Sequence, residues 1–141
     1  MRTCAAVLVG LGLVLAGCSD DRAVTRGAAL YQDNCLICHG ADLRGGGGAA
    51  VSGLSGTPPD LTVLAAQAGG VFPRAQVLDL LANYAAGAQP GRRMRPFSHL
   101  TSEDRSRVRT LEGRTRVPAP QAALLVYLES VQRSTLQIPS N

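Results

Sequence analysis

Two thiols and an imidazole stand within five residues of one another in the segment Cys35-Leu36-Ile37-Cys38-His39. A thiol pair at this spacing serves as a redox couple or a disulfide in an oxidising compartment, and with two more donors it holds zinc. Neither a redox couple nor a disulfide needs a His directly after the second Cys. Zinc needs four donors, and His99, the one His or Cys that follows His39, is isolated in sequence. C-x-x-C-H is instead the pattern for covalent attachment of c-type haem. Each thiol adds to a vinyl group of the porphyrin, and the adjacent imidazole is then held beneath the iron as its proximal ligand. Five consecutive residues thereby supply two thioethers and one iron–nitrogen bond.

Haem iron held by His and Met is the arrangement of electron-transfer proteins, because the thioether raises the reduction potential. Met94 lies in Gly91-Arg92-Arg93-Met94-Arg95-Pro96-Phe97 and is the one methionine besides Met1. A single Met is more often core filler, but three Arg and a Pro are poor company for an apolar core. Met94 is therefore read as the distal ligand, with Pro96 stiffening its loop and Phe97 packing on the porphyrin. His99 is the rival and would give bis-imidazole ligation at a lower potential; its other reading is a solvated histidine beside a turn.

Composition narrows the field. The chain has 141 residues, its 14 basic residues are all Arg, and with 10 acids its net charge is +4. The absence of Lys excludes a Walker-type phosphate loop, a Schiff-base enzyme and a pyridoxal site. With no Trp and few other aromatics, the chain is poor in large apolar side chains, and a buried porphyrin would supply the missing core volume. Without it a loosely packed or unfolded chain is expected.

Residues 1–17 read as a lipoprotein signal peptide: Arg2, then an apolar run over residues 5–17 that is too short to span a bilayer comfortably. The run ends in Leu15-Ala16-Gly17-Cys18, which resembles the lipobox of bacterial lipoproteins, where cleavage leaves the Cys as an acylated N-terminus. The other reading is an ordinary secretory signal, with Cys18 an incidental thiol. Either way export is expected, Cys4 leaves with the signal, and Cys35 and Cys38 are the thiols left to explain.

The elements that must position these groups are helical. Leu124, Tyr127, Leu128 and Val131 recur at i, i+3, i+4 and i+7 after Pro118 and Pro120. Val77, Leu80, Leu81 and Tyr84 repeat that pattern behind Pro73, and Gly87 ends it. A shorter helix is expected over residues 61–67. Gly45 to Gly48 read as a flexible loop, and residues 106–117, with Glu112-Gly113 at their middle, as an irregular β-hairpin.

With the C-x-x-C-H and Met-x-Pro-Phe segments both in place, residues 22–133 resemble the class I, mono-haem c-type cytochromes. The resemblance implies an all-α fold of about four helices around one covalently bound haem c, here with a short β-hairpin before the C-terminal helix. In that family an N-terminal helix bearing a small residue and an aromatic crosses the C-terminal helix. Gly27 and Tyr31 sit at that spacing, and Leu124, Tyr127 and Leu128 resemble the matching face. The family also directs a Pro carbonyl at the proximal His Nδ1–H, a bond that fixes the ring and tunes the iron. Pro59-Asp60-Leu61 resembles that segment, with Pro58 an adjacent alternative. The resulting division is a signal peptide at 1–17, a lipidated tether at 18–21, the cytochrome domain at 22–133 and a tail at 134–141.

One departure from the family concerns charge. Arg92, Arg93 and Arg95 surround Met94, and residues 92–116 hold eight Arg against three acids. The haem edge of these cytochromes is exposed near the Met loop, so an Arg collar there would steer docking to an acidic rim on a redox partner. Solvation of a loop and contact with anionic lipid headgroups are the other readings; a nucleic-acid partner is not expected. A short extended tether after Cys18 reaches roughly 15–20 Å, which would keep the domain at the membrane. The expectation is one-electron transfer between respiratory or dehydrogenase partners on the periplasmic side, as a free carrier or an enzyme subunit, with no bond chemistry of its own. The alternative is a haem protein with an exchangeable sixth ligand, acting as a peroxidase or small-gas sensor.

Overall fold

The computed structural model describes residues 17–46, 56–87, 94 and 97–133. The first helix, α1 (Gly17–Asn34), carries Asp20 in its first turn, where a carboxylate complements the positive end of the helix dipole. Thr25 Oγ1 donates to the Asp21 carbonyl at 2.8 Å. No Pro or Gly interrupts residues 18–26, so residues 18–21, expected as an extended tether, are the first turn of this helix. Helical backbone rises only about 1.5 Å per residue, which shortens the reach expected of that segment. Residues 1–16 and 134–141, read as signal peptide and tail, lie outside the described residues.

A one-turn helix, α2 (Leu36–His39), follows directly. After it come a 3-10 turn (Leu61–Val63) running into the short α3 (Leu64–Gln67), then α4 (Arg74–Ala85) and a 3-10 turn (Ser98–Leu100). Strands β1 (Arg105–Thr110) and β2 (Gly113–Pro118) lead into α5 (Ala119–Ser130). Among the described residues five helices thus stand where about four were expected, because the thiol-bearing motif forms a turn of its own. Pro73 and Pro118 occupy the positions before α4 and α5, and Gly87 follows the end of α4. None of the described helices is long and apolar enough to cross a membrane.

Helices α1 and α5 cross at Gly27. A Cβ there would lie 2.2 Å from the Ala123 carbonyl oxygen and 2.5 Å from Tyr127 Cβ, so only hydrogen fits between the two backbones. One turn on, the Tyr31 and Tyr127 rings meet at 5.6 Å between centroids, tilted by 49°. Tyr31, Leu100, Leu124 and Leu125 are the most deeply buried large side chains. The crossing expected from Gly27, Tyr31, Leu124, Tyr127 and Leu128 is therefore present.

The hairpin is regular. Thr110 faces Gly113 across a two-residue turn of Leu111 and Glu112, and the pairing runs without a bulge to Arg105 opposite Pro118. Val108 is buried on its inner side. The Ala119 amide donates to the Asp104 carbonyl at 2.9 Å, closing the base of the ribbon onto α5. Arg74 ties three elements together: its Nε donates to Glu129 at 3.0 Å in an ion pair with α5, and its Nη1 donates to the Arg109 carbonyl at 3.0 Å.

Candidate functional site

Cys35 caps the N-terminus of α2, and the amides of Cys38 and His39 both donate to its carbonyl, at 3.1 and 2.8 Å. This single turn presents two thiols and an imidazole from one rigid segment. Neither thiol is in a disulfide. Burial, with Cys38 alongside, pushes the Cys35 thiol up to about 11, so it remains protonated at neutral pH. Among the described residues no three His, Cys, Asp or Glu side chains converge on a metal-binding point.

Behind α2 lies an apolar cavity of about 360 Å³. Cys35, His39, Pro59 and Met94 all line it, and so does Phe97, whose ring also packs on Tyr84 at 5.9 Å. Leu61 and Leu64 close one side, Val77, Leu80 and Leu81 of α4 another, and Leu124 and Leu128 of α5 the base. Leu80 explains part of the α4 pattern. It follows the helical period, yet 45 % of it is exposed, because it borders this cavity and is not packed against another helix.

His39 is 4 % exposed and its Nδ1 has no hydrogen-bond partner of good geometry. Burial lowers its pKa below the usual imidazole value, and the Pro59 carbonyl, facing the ring, offsets part of that shift. Pro58 has a different task. Its carbonyl approaches so near Gly45 that a Cβ on that residue would lie 2.0 Å from the oxygen, and Gly45 adopts φ +84°. The Gly45 amide meanwhile donates to the His39 carbonyl at 2.8 Å. The start of the segment expected to be a flexible loop is thus the brace that holds residues 58–59 against the imidazole; Gly47 and Gly48 lie outside the described residues. Leu43 strengthens the same brace by accepting from the Leu61 amide at 2.8 Å, and Tyr31 Oη donates to the Gly40 carbonyl at 2.6 Å.

A second brace comes from the end of α5, and no sequence pattern announces it. Arg133 Nη2 donates to Asp60 Oδ2 at 2.8 Å and its Nε to Thr62 Oγ1 at 2.7 Å, while Asp60 Oδ1 accepts from the Thr62 amide at 2.8 Å. Burial alone would raise the Asp60 pKa, but the Thr62 hydrogen bonds and the charges of Arg133 and Arg44 prevail and hold it below the usual carboxylate value. Gln132 Oε1 accepts from the Ala65 amide at 2.9 Å and its Nε2 donates to the Leu61 carbonyl at 2.7 Å. The segment carrying Pro59 is clamped from both sides.

The sequence-predicted residues fall into two groups. Cys35, His39, Pro59 and Met94 share one cavity, whereas Cys38, half-buried on α2, does not line it. Arg92, Arg93, Arg95 and Pro96 lie outside the described residues, as do the side chains of Cys18 and His99. An apolar slot lined by a thiol, a buried imidazole and a thioether has the donor set that would hold a porphyrin and its iron. Fold and site together define a helical haem-c-binding domain.

Residues 24–110 match the family model described as Cytochrome c. The match covers more than half of the chain, and the chain belongs to the cytochrome c family. Membership brings covalently bound haem c with its iron, and it implies haem-based electron transfer and redox partners. The match ends with β1, so β2 and α5 lie beyond it, although α5 supplies Leu124 and Leu128 to the cavity. No curated protein and no solved structure matches the chain.

Proposed function

We propose that this cytochrome c is a one-electron carrier of the class I, mono-haem kind, with His39 as proximal and Met94 as distal ligand of a single haem. The observation that carries this reading is the one cavity lined by Cys35, His39, Pro59 and Met94. When bound, the haem supplies an iron that accepts and releases one electron. The residues of the chain do the rest. Cys35 and Cys38 would hold the porphyrin, each S–H adding across one vinyl double bond to give a thioether with the thiol proton passing to carbon. The Pro59 carbonyl orients the imidazole through Nδ1, and the Met94 thioether raises the potential. The leucines of the wall limit access of water, which also tunes the potential. This role is that of a carrier or of the electron-transfer subunit of a larger oxidoreductase.

The same reading places the domain on the periplasmic side of a bacterial membrane, anchored by acylated Cys18, with Arg92, Arg93 and Arg95 meeting an acidic face of the redox partner. Support comes from the apolar run over residues 5–17, its Leu-Ala-Gly-Cys ending and the Arg-rich Met loop. A mature N-terminal peptide beginning at Cys18 and carrying acyl mass tests the anchor; an unmodified N-terminus overturns it. The ligand set is tested by visible spectra and a redox titration of wild type and Met94→Ala. A far-red sulfur-to-iron band and a positive potential in wild type, both lost in the variant, are expected. Identical spectra and potentials overturn Met94 as ligand and favour His99 or an exchangeable sixth position, which rapid cyanide binding would reveal.

A further inference from the structure

The hairpin gathers a charge array that the haem site does not use. Side chains alternate across a strand, and residues directly opposite in an antiparallel pair share a face. Arg107 stands opposite Arg116, Arg109 opposite Arg114, and Arg105 opposite Pro118. Arg105, Arg107, Arg109, Arg114 and Arg116 therefore lie on one face, and all five are exposed, while the other face buries Val108. Like charges directly opposite one another destabilise a ribbon. Among the described residues the ion pairs are Arg74–Glu129 and Arg133–Asp60, so none of the five is in an ion pair with a described carboxylate. Glu103 and Asp104 flank the base, and Glu112 stands in the turn, where the neighbouring Thr110 hydroxyl lowers its pKa. An external array of anions would relieve the repulsion.

The tip of the ribbon adds an apolar component. Leu111 is 88 % exposed and Val71 57 % exposed, and the two line one groove with Arg74 and Arg109 between the turn and the start of α4. Neither borders the cavity of Cys35 and His39, so haem does not account for their exposure.

We infer that the ribbon docks on an anionic bilayer surface, its guanidinium groups on headgroup phosphates and Leu111 and Val71 entering the boundary with the acyl chains. Guanidinium forks suit phosphate oxygens. Energetic centres of protein–protein interfaces draw on Trp and Tyr as well as Arg, and single-stranded nucleic acid is bound on aromatic platforms. The arginine face and the turn contain no aromatic residue, and Phe72, which lines the groove, is buried. An evenly spaced cationic row ending in aliphatic side chains fits a continuous sheet of phosphates above hydrocarbon. The inference depends neither on acylation of Cys18 nor on the identity of the distal ligand.

The test uses the haem-loaded full chain carrying Cys18→Ser, sedimented with phosphatidylcholine vesicles that contain or lack phosphatidylglycerol. Binding to the anionic vesicles is expected at low salt, weakening as salt rises. Arg107→Gln with Arg116→Gln is expected to weaken it by roughly thirtyfold, about fivefold for each basic residue lost at the surface. Leu111→Ser is expected to weaken it by about threefold or more. Both variants should keep the visible spectrum, which shows that they remain folded around haem. Residues 5–17 are common to all of these proteins, so the differences isolate the ribbon. Equal binding by the arginine variant, or equal binding of the parent to neutral vesicles, overturns the inference. Tighter capture by polyglutamate than by anionic vesicles, lost in the same variant, assigns the face to an acidic protein and overturns the bilayer as occupant.

Discussion

The α1–α5 crossing and the wall of the cavity behind α2 draw on similar apolar residues but use them in opposite ways. At the crossing the chain fills its own space: Gly27 admits the backbone of α5 to contact, and Tyr31 tilts against Tyr127. At the cavity Leu61, Leu64, Leu80 and Leu81 border about 360 Å³ that no side chain of the described residues fills. The first region is complete as polypeptide, and the second is a mould for something else. A chain without Trp has this choice open to it, because a porphyrin supplies apolar bulk that side chains would otherwise provide.

Removing the cofactor separates the two regions most sharply. Carrying the roughly 24 cal/mol per Å³ cost of unfilled core across the whole cavity puts at most on the order of 9 kcal/mol at stake. The entire stability of a small domain is about 5–15 kcal/mol. Cys35→Ala with Cys38→Ala is therefore expected to abolish covalent haem and cooperative melting. Hydrogen exchange should show protection disappearing first in α4 and residues 56–67 and last in α1 and α5. Uniform loss would show that the crossing has no stability of its own.

Two glycines sharpen the contrast at intermediate size. Gly27→Ala and Gly45→Ala each force a Cβ against a carbonyl oxygen, at 2.2 and 2.0 Å, and each is expected to cost about 3 kcal/mol in denaturant unfolding. Their second readout should differ. Gly27→Ala leaves the reduction potential unchanged, since it opens the crossing, whereas Gly45→Ala moves the potential because it displaces the segment that aims Pro59 at His39. Equal shifts in both would show that the two regions are mechanically one.

The smallest effect tests the clamp on the cavity side. Asp60→Asn is expected to cost about 1–2 kcal/mol near neutral pH, through loss of charge-assisted hydrogen bonds. The folded pKa of Asp60 lies below its unfolded value. The stabilisation is therefore fully present above the ordinary carboxylate range near pH 4 and is lost as pH falls through the folded value. Urea midpoints of parent and variant should differ at neutral pH and converge in strong acid; a constant gap would remove the ion pair from the account.

Particular residues show where the sequence was readable. The C-x-x-C-H motif was legible because its chemistry is contained in five consecutive residues. The helices α4 and α5 were legible because each repeats an apolar face at helical period behind a proline, and the hairpin because its turn is short. The Gly27–Tyr31 crossing was legible only through the family resemblance. The helical start of the expected tether, and the extra turn at α2, were missed because short helical turns carry too few residues for a period to register. Gly45 read as loop because a glycine that admits a distant carbonyl looks the same in sequence as one that bends freely.

What the sequence by itself determined is therefore local: the C-x-x-C-H motif, the helical class of fold, and the supply of one imidazole and one thioether as candidate donors. What only the tertiary structure decided depends on residues far apart in the chain. It chose Pro59 over Pro58 to face His39, by pinning the Pro58 carbonyl against Gly45. It recruited Arg133 and Gln132 to hold that segment, and its strand register placed five arginines on one face of the ribbon. The physical reason is the same in each case. Covalent attachment and helical period are set by neighbours along the chain, whereas a close approach, an ion pair or a cross-strand register exists only once folding has brought distant segments to a fixed separation.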